Sequence, residues 1–206
     1  MNQRIIIINY GMGNLNSVKR KLSRLGLNAV ISSNPLDISM ADKLILPGVG
    51  HFQKAVANLK QLQLWDVLND AVLGNKKPIL GICLGMQLMA KSSEEGNVEG
   101  LGWFEAEVVK FKVNDYLTHK VPHTGWNQIV KIKNSQLMKD IPDLSEFYFV
   151  HAYHYKCQNV TDILNETEYE YKFTSAVERE NIFGVQYHPE KSHDIGDCLF
   201  KNFINL

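Results

Sequence analysis

Short apolar runs alternate with amphipathic segments along the first half of the chain. Four runs are short, rich in branched residues and bounded by polar residues, glycine or proline, which is typical of buried strands: 5–9, 28–32, 42–46 and 78–82. Apolar residues at helical spacing predict helices between them, over 15–25, 52–59 and 64–73. Asn14 is expected to cap the first helix. This alternation predicts a mainly parallel sheet.

A different pattern begins near residue 101. Short segments of alternating polarity at 104–109, 126–132, 147–150 and 176–186 predict antiparallel hairpins. A last helix is expected over 196–204, where Leu199, Phe200 and Phe203 share one face. The chain shows no linker, repeat or low-complexity segment. We therefore expect a single α/β domain, 1–206, with a β-rich second half.

Composition excludes several functional classes. Lys+Arg and Asp+Glu are both 22, so the chain lacks the basic footprint of a nucleic-acid-binding protein. Three cysteines without repeated spacing do not form a disulfide framework. The apolar run at 5–8 is too short for a signal segment or a membrane span. A cytoplasmic enzyme without membrane association is expected.

The segment 81–85, Gly-Ile-Cys-Leu-Gly, predicts a nucleophile. It follows an apolar strand and precedes a helix, the arrangement of a G-x-C-x-G nucleophile elbow. Such a turn exposes the sulfur of Cys83, and the helix N-terminus favours its thiolate form. The N–H of Leu84 is then placed to stabilise an oxyanion. Cys157 and Cys198 lack this context and are expected to be structural.

The segment His188-Pro189-Glu190 predicts the base and the group that orients it. In an extended segment, a residue two positions on projects to the same side, so the Glu190 carboxylate can accept a hydrogen bond from the imidazole of His188. A metal site is not predicted, because no set of His, Cys or carboxylate residues has a recognised ligand spacing. No cofactor is expected either, since the glycine clusters match neither dinucleotide nor P-loop patterns.

Together these motifs resemble the class I (triad) glutamine amidotransferases. Within that class, the chain most resembles the family of glutaminase subunits of imidazole glycerol phosphate synthase. Six segments carry this resemblance, in the order that the family has them: 9–14 (NYGMGN), 47–52 (PGVGHF), 81–87 (GICLGMQ), 122–127 (PHTGWN), 147–153 (FYFVHAY) and 187–192 (YHPEKS). It implies a catalytic triad of Cys83, His188 and Glu190. It also implies a three-layer, flavodoxin-like α/β fold: a mixed, mostly parallel sheet with helices on both faces and an added antiparallel region in the second half.

The resemblance further implies roles for residues around the triad. The oxyanion hole would include Val49, Gly50 and Leu84. Glutamine would bind at Gly48, Gln87 and Glu95. Candidates for the partner interface are Asn14, His123, Trp126 and Tyr153. The implied substrate is L-glutamine, and the implied partner is a cyclase subunit of the (β/α)₈-barrel type in a heterodimer. That cyclase uses the ammonia to make imidazole glycerol phosphate and AICAR in histidine synthesis. Low basal activity is expected, with activation when the loaded partner reorients segment 47–50.

Three alternatives remain open at this point. Ala152 and His154 depart from the family pattern near the glutamine site, which leaves room for a paralogous glutaminase serving another synthase, such as one for surface-sugar amidination. A stand-alone γ-glutamyl cysteine hydrolase would share the triad. A scaffold subunit with a vestigial site is the non-enzyme reading, and the intact triad argues against it.

Overall fold

A computed structural model describes residues 3–206, which form fourteen strands and six α-helices. The strands are β1 Ile5–Ile8, β2 Ala29–Ser32, β3 Lys43–Gly48, β4 Ile79–Cys83, β5 Ala90–Ser93, β6 Val98–Glu99, β7 Phe104–Lys110, β8 His123–Gln128, β9 Val130–Lys131, β10 Glu146–His151, β11 Tyr153–Cys157, β12 Ile163–Tyr169, β13 Tyr171–Arg179 and β14 Ile182–Val185. The helices are α1 Leu15–Arg24, α2 Pro35–Ser39, α3 Phe52–Gln61, α4 Leu64–Asn69, α5 Leu84–Gln87 and α6 His193–Asn205. A π-helical turn, Asp70–Gly74, follows α4, and 3₁₀ turns span Val160–Asp162 and Pro189–Lys191.

One large mixed sheet organises the chain. Its first half is parallel, in the order β2-β1-β3-β4-β14. From β14 the order continues through β13, β11 and β7 with antiparallel pairing. Strands β8 and β10 form a separate antiparallel pair. The last strand of the chain therefore lies beside β4, in the middle of the sheet.

Helices cover both faces of the parallel half. Side chains of β1 alternate between the faces: Ile6 packs with α3 and α4, and Ile7 packs with α1 and α6. All four residues of β1 are buried, as a strand covered on both sides requires. These three layers confirm the predicted fold class. No helix within residues 3–206 combines the length and the apolar character that crossing a membrane requires.

Several local expectations need correction. Asn14 precedes α1, but its side chain makes no capping hydrogen bond; its backbone carbonyl instead accepts from the N–H of Ser17 at 3.1 Å. Helix α2 was not predicted, although Asn34 caps it by accepting from the Leu36 N–H at 2.9 Å. The short strands β5 and β6 were not predicted either. The expected segment 176–186 is the end of β13 followed by β14, with a turn between them.

Candidate active site

The ends of three neighbouring strands meet at one edge of the sheet. Gly48, the last residue of β3, is paired with Cys83, the last residue of β4. Val185, the last residue of β14, is paired with Ile82 on the other side of β4. The chain leaves β14 and reaches His188 three residues later. Because all three strands are parallel, segment 47–50, Cys83 and His188 come together at this edge.

Cys83 occupies a strained turn that glycines on both sides make possible. Its backbone has φ 54° and ψ −111°, in the region that residues with a side chain rarely adopt. A Cβ on Gly85 would lie 1.6 Å from the carbonyl oxygen of Leu46. A Cβ on Gly81 would lie 2.8 Å from the carbonyl carbon of Gly85. The backbone of the elbow therefore packs directly on β3. Helix α5 is a single turn that ends at Gln87.

His188 and Glu190 form a buried pair. Nδ1 of His188 donates to Oε1 of Glu190 at 2.8 Å, and their side chains are 2% and 3% exposed. Burial alone lowers the pKa of His188, but the neighbouring Cys83 and then the Glu190 carboxylate outweigh it, so that this pKa is raised to about 10. Nε2 of His188 is buried and has no hydrogen-bond partner within residues 3–206. The imidazole is thus oriented by Glu190 and keeps its second nitrogen free.

The local backbone around this pair differs from the expectation. Glu190 lies in the 3₁₀ turn Pro189–Lys191, whereas an extended segment was predicted. The turn is held by Ser192, whose hydroxyl donates to the His188 carbonyl at 2.6 Å and accepts from the Tyr148 N–H at 3.1 Å. The N–H of His188 donates to the carbonyl of Tyr148 at 2.8 Å. Strand β10 therefore anchors the histidine.

A cavity of about 310 Å³ opens above Cys83. It is lined by Val49, Gly50, Cys83, Leu84, Gln87, Glu95, Pro122, Val150, His151, Ala152 and Tyr153. The three predicted oxyanion residues are in this lining, and Leu84 is the first residue of α5, so its N–H has no partner within that helix. Of the predicted glutamine-binding residues, Gln87 and Glu95 line the cavity. Gly48 does not; it is buried behind the wall.

Gln186 is a residue that the sequence analysis missed. Its side chain is fully buried, and Nε2 donates to Sγ of Cys83 at 3.5 Å. Its Oε1 accepts from Nε2 of Gln87 at 3.0 Å, and the same nitrogen of Gln87 donates to the carbonyl of Tyr153 at 3.0 Å. A chain of amide groups therefore connects the nucleophile to β11. The available signal was a polar residue in an apolar segment, two positions before His188.

Glu95 lines the cavity, and one hydrogen bond fixes its carboxylate. Its Oε2 accepts from the N–H of Phe52, the first residue of α3, at 2.7 Å. This hydrogen bond satisfies a free N–H at the helix start and fixes the carboxylate. Oε1 makes no hydrogen bond to the described part of the chain. Glu95 therefore presents a fixed negative charge to whatever enters the cavity.

A buried histidine of the cavity lining, His151, contacts a second buried histidine, His123. Nδ1 of His151 lies 2.8 Å from the Tyr153 carbonyl, and Nε2 of His151 lies 3.3 Å from Nδ1 of His123. Burial, with smaller effects from neighbouring histidines, lowers the pKa of His123 to about 4 and that of His151 well below its usual value. Both rings are therefore neutral near pH 7. His123 is 3% exposed, so the structure corrects its assignment to a partner surface.

The other interface candidates are accessible. Asn14 is exposed at the start of α1, and Tyr153 is half-buried at the rim of the cavity. Trp126 is 44% exposed, and its ring stacks on His193 with centroids 5.0 Å apart and an interplanar angle of 5°. A large aromatic surface held rigid in this way is common in protein interfaces. Their interface role stays a prediction.

A cysteine at a strand-to-helix elbow, beside a buried His–Glu pair and in the wall of a cavity, is the arrangement of a triad enzyme that attacks carbonyl groups through sulfur. Within residues 3–206, no group of three or more His, Cys, Asp or Glu side chains is arranged to hold a metal ion. The family model described as glutamine amidotransferase class-I matches residues 6–206. The chain belongs to this family and is a glutamine amidotransferase.

Known proteins resemble the chain over almost its whole length. It is 50% identical to imidazole glycerol phosphate synthase subunit HisH 2 of Methanococcus maripaludis, over 97% of this chain and 98% of that protein. It is 46% identical to the HisH 2 subunit of Pseudomonas aeruginosa, over 98% and 99%. Among solved structures, PurLQS from Thermotoga maritima superposes with a TM-score of 0.76 at 16% identity, covering 100% of this chain and 99% of that one. The glutaminase domain of Trypanosoma brucei CTPS gives 0.65 at 17% identity, covering 98% and 94%. These distant structures support the fold alone.

Proposed function

We propose that this chain is the glutaminase subunit of an imidazole glycerol phosphate synthase, hydrolysing L-glutamine and passing ammonia to a cyclase subunit. The observation that carries the proposal is the cavity itself, which has a nucleophile, a fixed carboxylate and the side-chain amide of Gln87 around a volume suited to one amino acid. The similarity to synthase subunits over nearly the full chain supports the choice of synthase.

Glutamine would enter with its α-amino group towards Glu95 and its side-chain amide towards Cys83. The fixed carboxylate of Glu95 provides the charge that an ammonium group needs. Gln87 has its amide nitrogen held by two acceptors, which leaves its Oε1 as an oriented acceptor for the substrate. These contacts would align the amide carbon with Sγ.

Cys83 would attack as the thiolate, with Gln186 donating a hydrogen bond to the sulfur. The resulting oxyanion would be stabilised by the N–H of Leu84 and by one from Val49–Gly50, and each such donor contributes roughly 10²–10³-fold to kcat. Nε2 of protonated His188 would give its proton to the leaving nitrogen. The raised pKa of His188 keeps that proton available at neutral pH. Water activated by neutral His188 would then hydrolyse the thioester to glutamate.

The ammonia requires a partner, since it would otherwise be protonated and lost to solvent. We infer a cyclase subunit of the (β/α)₈-barrel type, docked over the exposed Trp126 and the cavity rim at Tyr153. Docking would orient segment 47–50 for catalysis. Gly50 has φ +117°, and glycines on both sides of Val49 allow the peptide to rotate at low cost.

Glutamate release tests this proposal. The purified chain and its Cys83→Ala variant are assayed with and without an imidazole glycerol phosphate synthase cyclase and its nucleotide ligand. Cys198→Ala is the matched control, because Cys198 is a half-buried thiol outside the cavity. We expect activity that requires Cys83, tolerates loss of Cys198 and rises strongly with the loaded cyclase. Full activity of the isolated chain would contradict partner activation.

A second candidate is a paralogous glutaminase serving another synthase. Its support is the family departures at positions 152 and 154. Ala152 lines the cavity, and buried His154 has Nε2 3.0 Å from the Tyr171 hydroxyl. The relatives from Methanococcus and Pseudomonas also carry the subunit number 2 in their names. Activity that depends on Cys83 but does not respond to the histidine-pathway cyclase would favour this candidate.

A further inference from the structure

Tyr10 places a buried hydroxyl against the segment that forms one side of the cavity. Its side chain is fully buried, and Oη has no hydrogen-bond partner within residues 3–206. An added Cβ on Gly48 would lie 2.1 Å from this oxygen and 2.9 Å from Cβ of Leu84. Gly48 is therefore enclosed between the tyrosine hydroxyl and the nucleophile elbow.

The turn that carries Tyr10 supports segment 48–50 along its length. A Cβ on Gly13 would lie 3.2 Å from Cα of Gly48, and a Cβ on Gly50 would lie 2.6 Å from Cε of Met12. Asn58 fixes the turn by donating to the Tyr10 carbonyl at 2.9 Å. Tyr10 does not line the cavity, whereas Gly50 does. The hydroxyl consequently lies on the buried side of the segment.

A buried hydroxyl without a partner destabilises a folded protein, because it has given up its hydrogen bonds to water. A phenylalanine would fill the same space without this cost. Among the residues that the structure describes, the hydroxyl of Tyr155 is also fully buried and without a hydrogen-bond partner, but Tyr155 lies in β11 and is not part of the cavity lining. Tyr155 therefore provides an internal comparison for a hydroxyl without an active-site neighbour.

A rotation of the peptide between Gly48 and Val49 would give the Tyr10 hydroxyl a hydrogen-bond acceptor. In a trans peptide, the carbonyl and the N–H point in opposite directions. When the peptide between Gly48 and Val49 turns its N–H into the cavity, the Gly48 carbonyl turns to the buried side. A fixed hydroxyl donor already lies there, against Gly48.

We propose that Tyr10 is a positioning residue, whose hydroxyl donates to the Gly48 carbonyl when the Val49 N–H faces the oxyanion. The hydrogen bond forms only in the catalytic orientation and holds that orientation during turnover. The resting protein keeps the donor unpartnered, and this keeps the two orientations close in free energy. The inference rests on the proposed glutaminase function and assigns a residue that stabilises its oxyanion hole.

Tyr10→Phe and Tyr155→Phe, each in the complex with the cyclase and its nucleotide, separate this role from packing. Both variants remove one unpartnered hydroxyl, so we expect the Tm of each to stay equal or rise. Only Tyr10→Phe should lower kcat for glutamine hydrolysis, by roughly 3- to 10-fold with KM unchanged, because one neutral hydrogen bond is lost in the transition state. Alkylation of Cys83 by iodoacetamide, followed on its own peptide by mass spectrometry, should not slow, since it needs no oxyanion hole.

Other results would overturn the inference. These are a Tyr10→Phe kcat equal to that of Tyr155→Phe, a Tm lowered by Tyr10→Phe, or a loss of alkylation rate that matches the loss of kcat. A lowered Tm would mean that the hydroxyl already has a partner in the resting state. An inactive wild-type complex would instead refute the proposed function, and the inference with it. An active wild type with an unaffected Tyr10→Phe variant overturns the inference alone.

Discussion

Replacing Glu190 by glutamine tests how much of the catalysis depends on a buried charge. The variant keeps the shape of the side chain and an oxygen that can accept from Nδ1 of His188. It removes the negative charge at 2.8 Å from a ring that is almost fully buried. Hydrogen bonds to charged groups contribute more than neutral ones, here about 2–3 kcal/mol. The expected loss is roughly 30- to 150-fold in kcat.

The same change alters the pH dependence in a defined direction. His188 must be protonated to give its proton to the leaving nitrogen, so activity falls as pH rises through its pKa. Cys83 and Glu190 raise that pKa to about 10, against the effect of burial. Without the charge on Glu190 the pKa falls. The alkaline limb of kcat/KM therefore moves to lower pH in the variant.

The assay is glutamate release by the complex with its cyclase between pH 6 and pH 10, with circular dichroism as a check of folding. Glu180→Gln is the matched control, because it removes the same charge from an exposed ion pair with Lys76. It should leave kcat and the alkaline limb unchanged. A Glu190→Gln variant with an unshifted alkaline limb would refute the assigned role of the carboxylate.

Three further predictions follow from the packing and the buried polar groups. Gly85→Ala places a Cβ 1.6 Å from the Leu46 carbonyl oxygen, a backbone atom that cannot yield, and should cost at least ~3 kcal/mol in urea unfolding. Gly74→Ala should be close to neutral, because its Cβ would have no neighbour within 4 Å from other parts of residues 3–206. Gln186→Leu should lower kcat about 10-fold and, in contrast to Tyr10→Phe, also slow alkylation of the nucleophile, because the hydrogen bond to sulfur is lost. Burial lowers the pKa of His123 from 6.5 to about 4, so the unfolded chain binds this proton at higher pH than the folded chain. Stability is then complete above pH 6.5 and falls by about 2 kcal/mol between pH 7.5 and pH 5, and His123→Asn should lack this part of the fall.

One result would contradict each of these three predictions. Equal unfolding free energies for the two glycine variants would contradict the close approach of the elbow to β3. A Gln186→Leu variant with unchanged alkylation would place its effect elsewhere than on the sulfur. An acid sensitivity identical in wild type and His123→Asn would show that other groups dominate unfolding below pH 6.5.

Short sequence patterns were sufficient to predict those elements whose conformation depends on neighbouring residues in the chain. The run Ile5–Ile8 forms a strand because four consecutive β-branched residues can be buried on both faces of a sheet. The flanking glycines predicted the elbow, because only glycine permits the close contacts found at Gly81 and Gly85. The predicted extended backbone between His188 and Glu190 was wrong, because a 3₁₀ turn brings the two side chains together.

By itself, the sequence determined the type of chemistry, the order of the parallel β-α units and the residues available as nucleophile, base and orienting acid, because each follows from residue type and short-range spacing. Only the tertiary structure decided that β14 lies beside β4, which brings residues more than a hundred positions apart to one sheet edge. It also decided that Gln186 touches the sulfur, that His123 is buried and that Tyr10 lies beneath Gly48. These contacts depend on which strands become neighbours and on how side chains fill the space between them. Such long-range packing leaves no periodic trace along the chain.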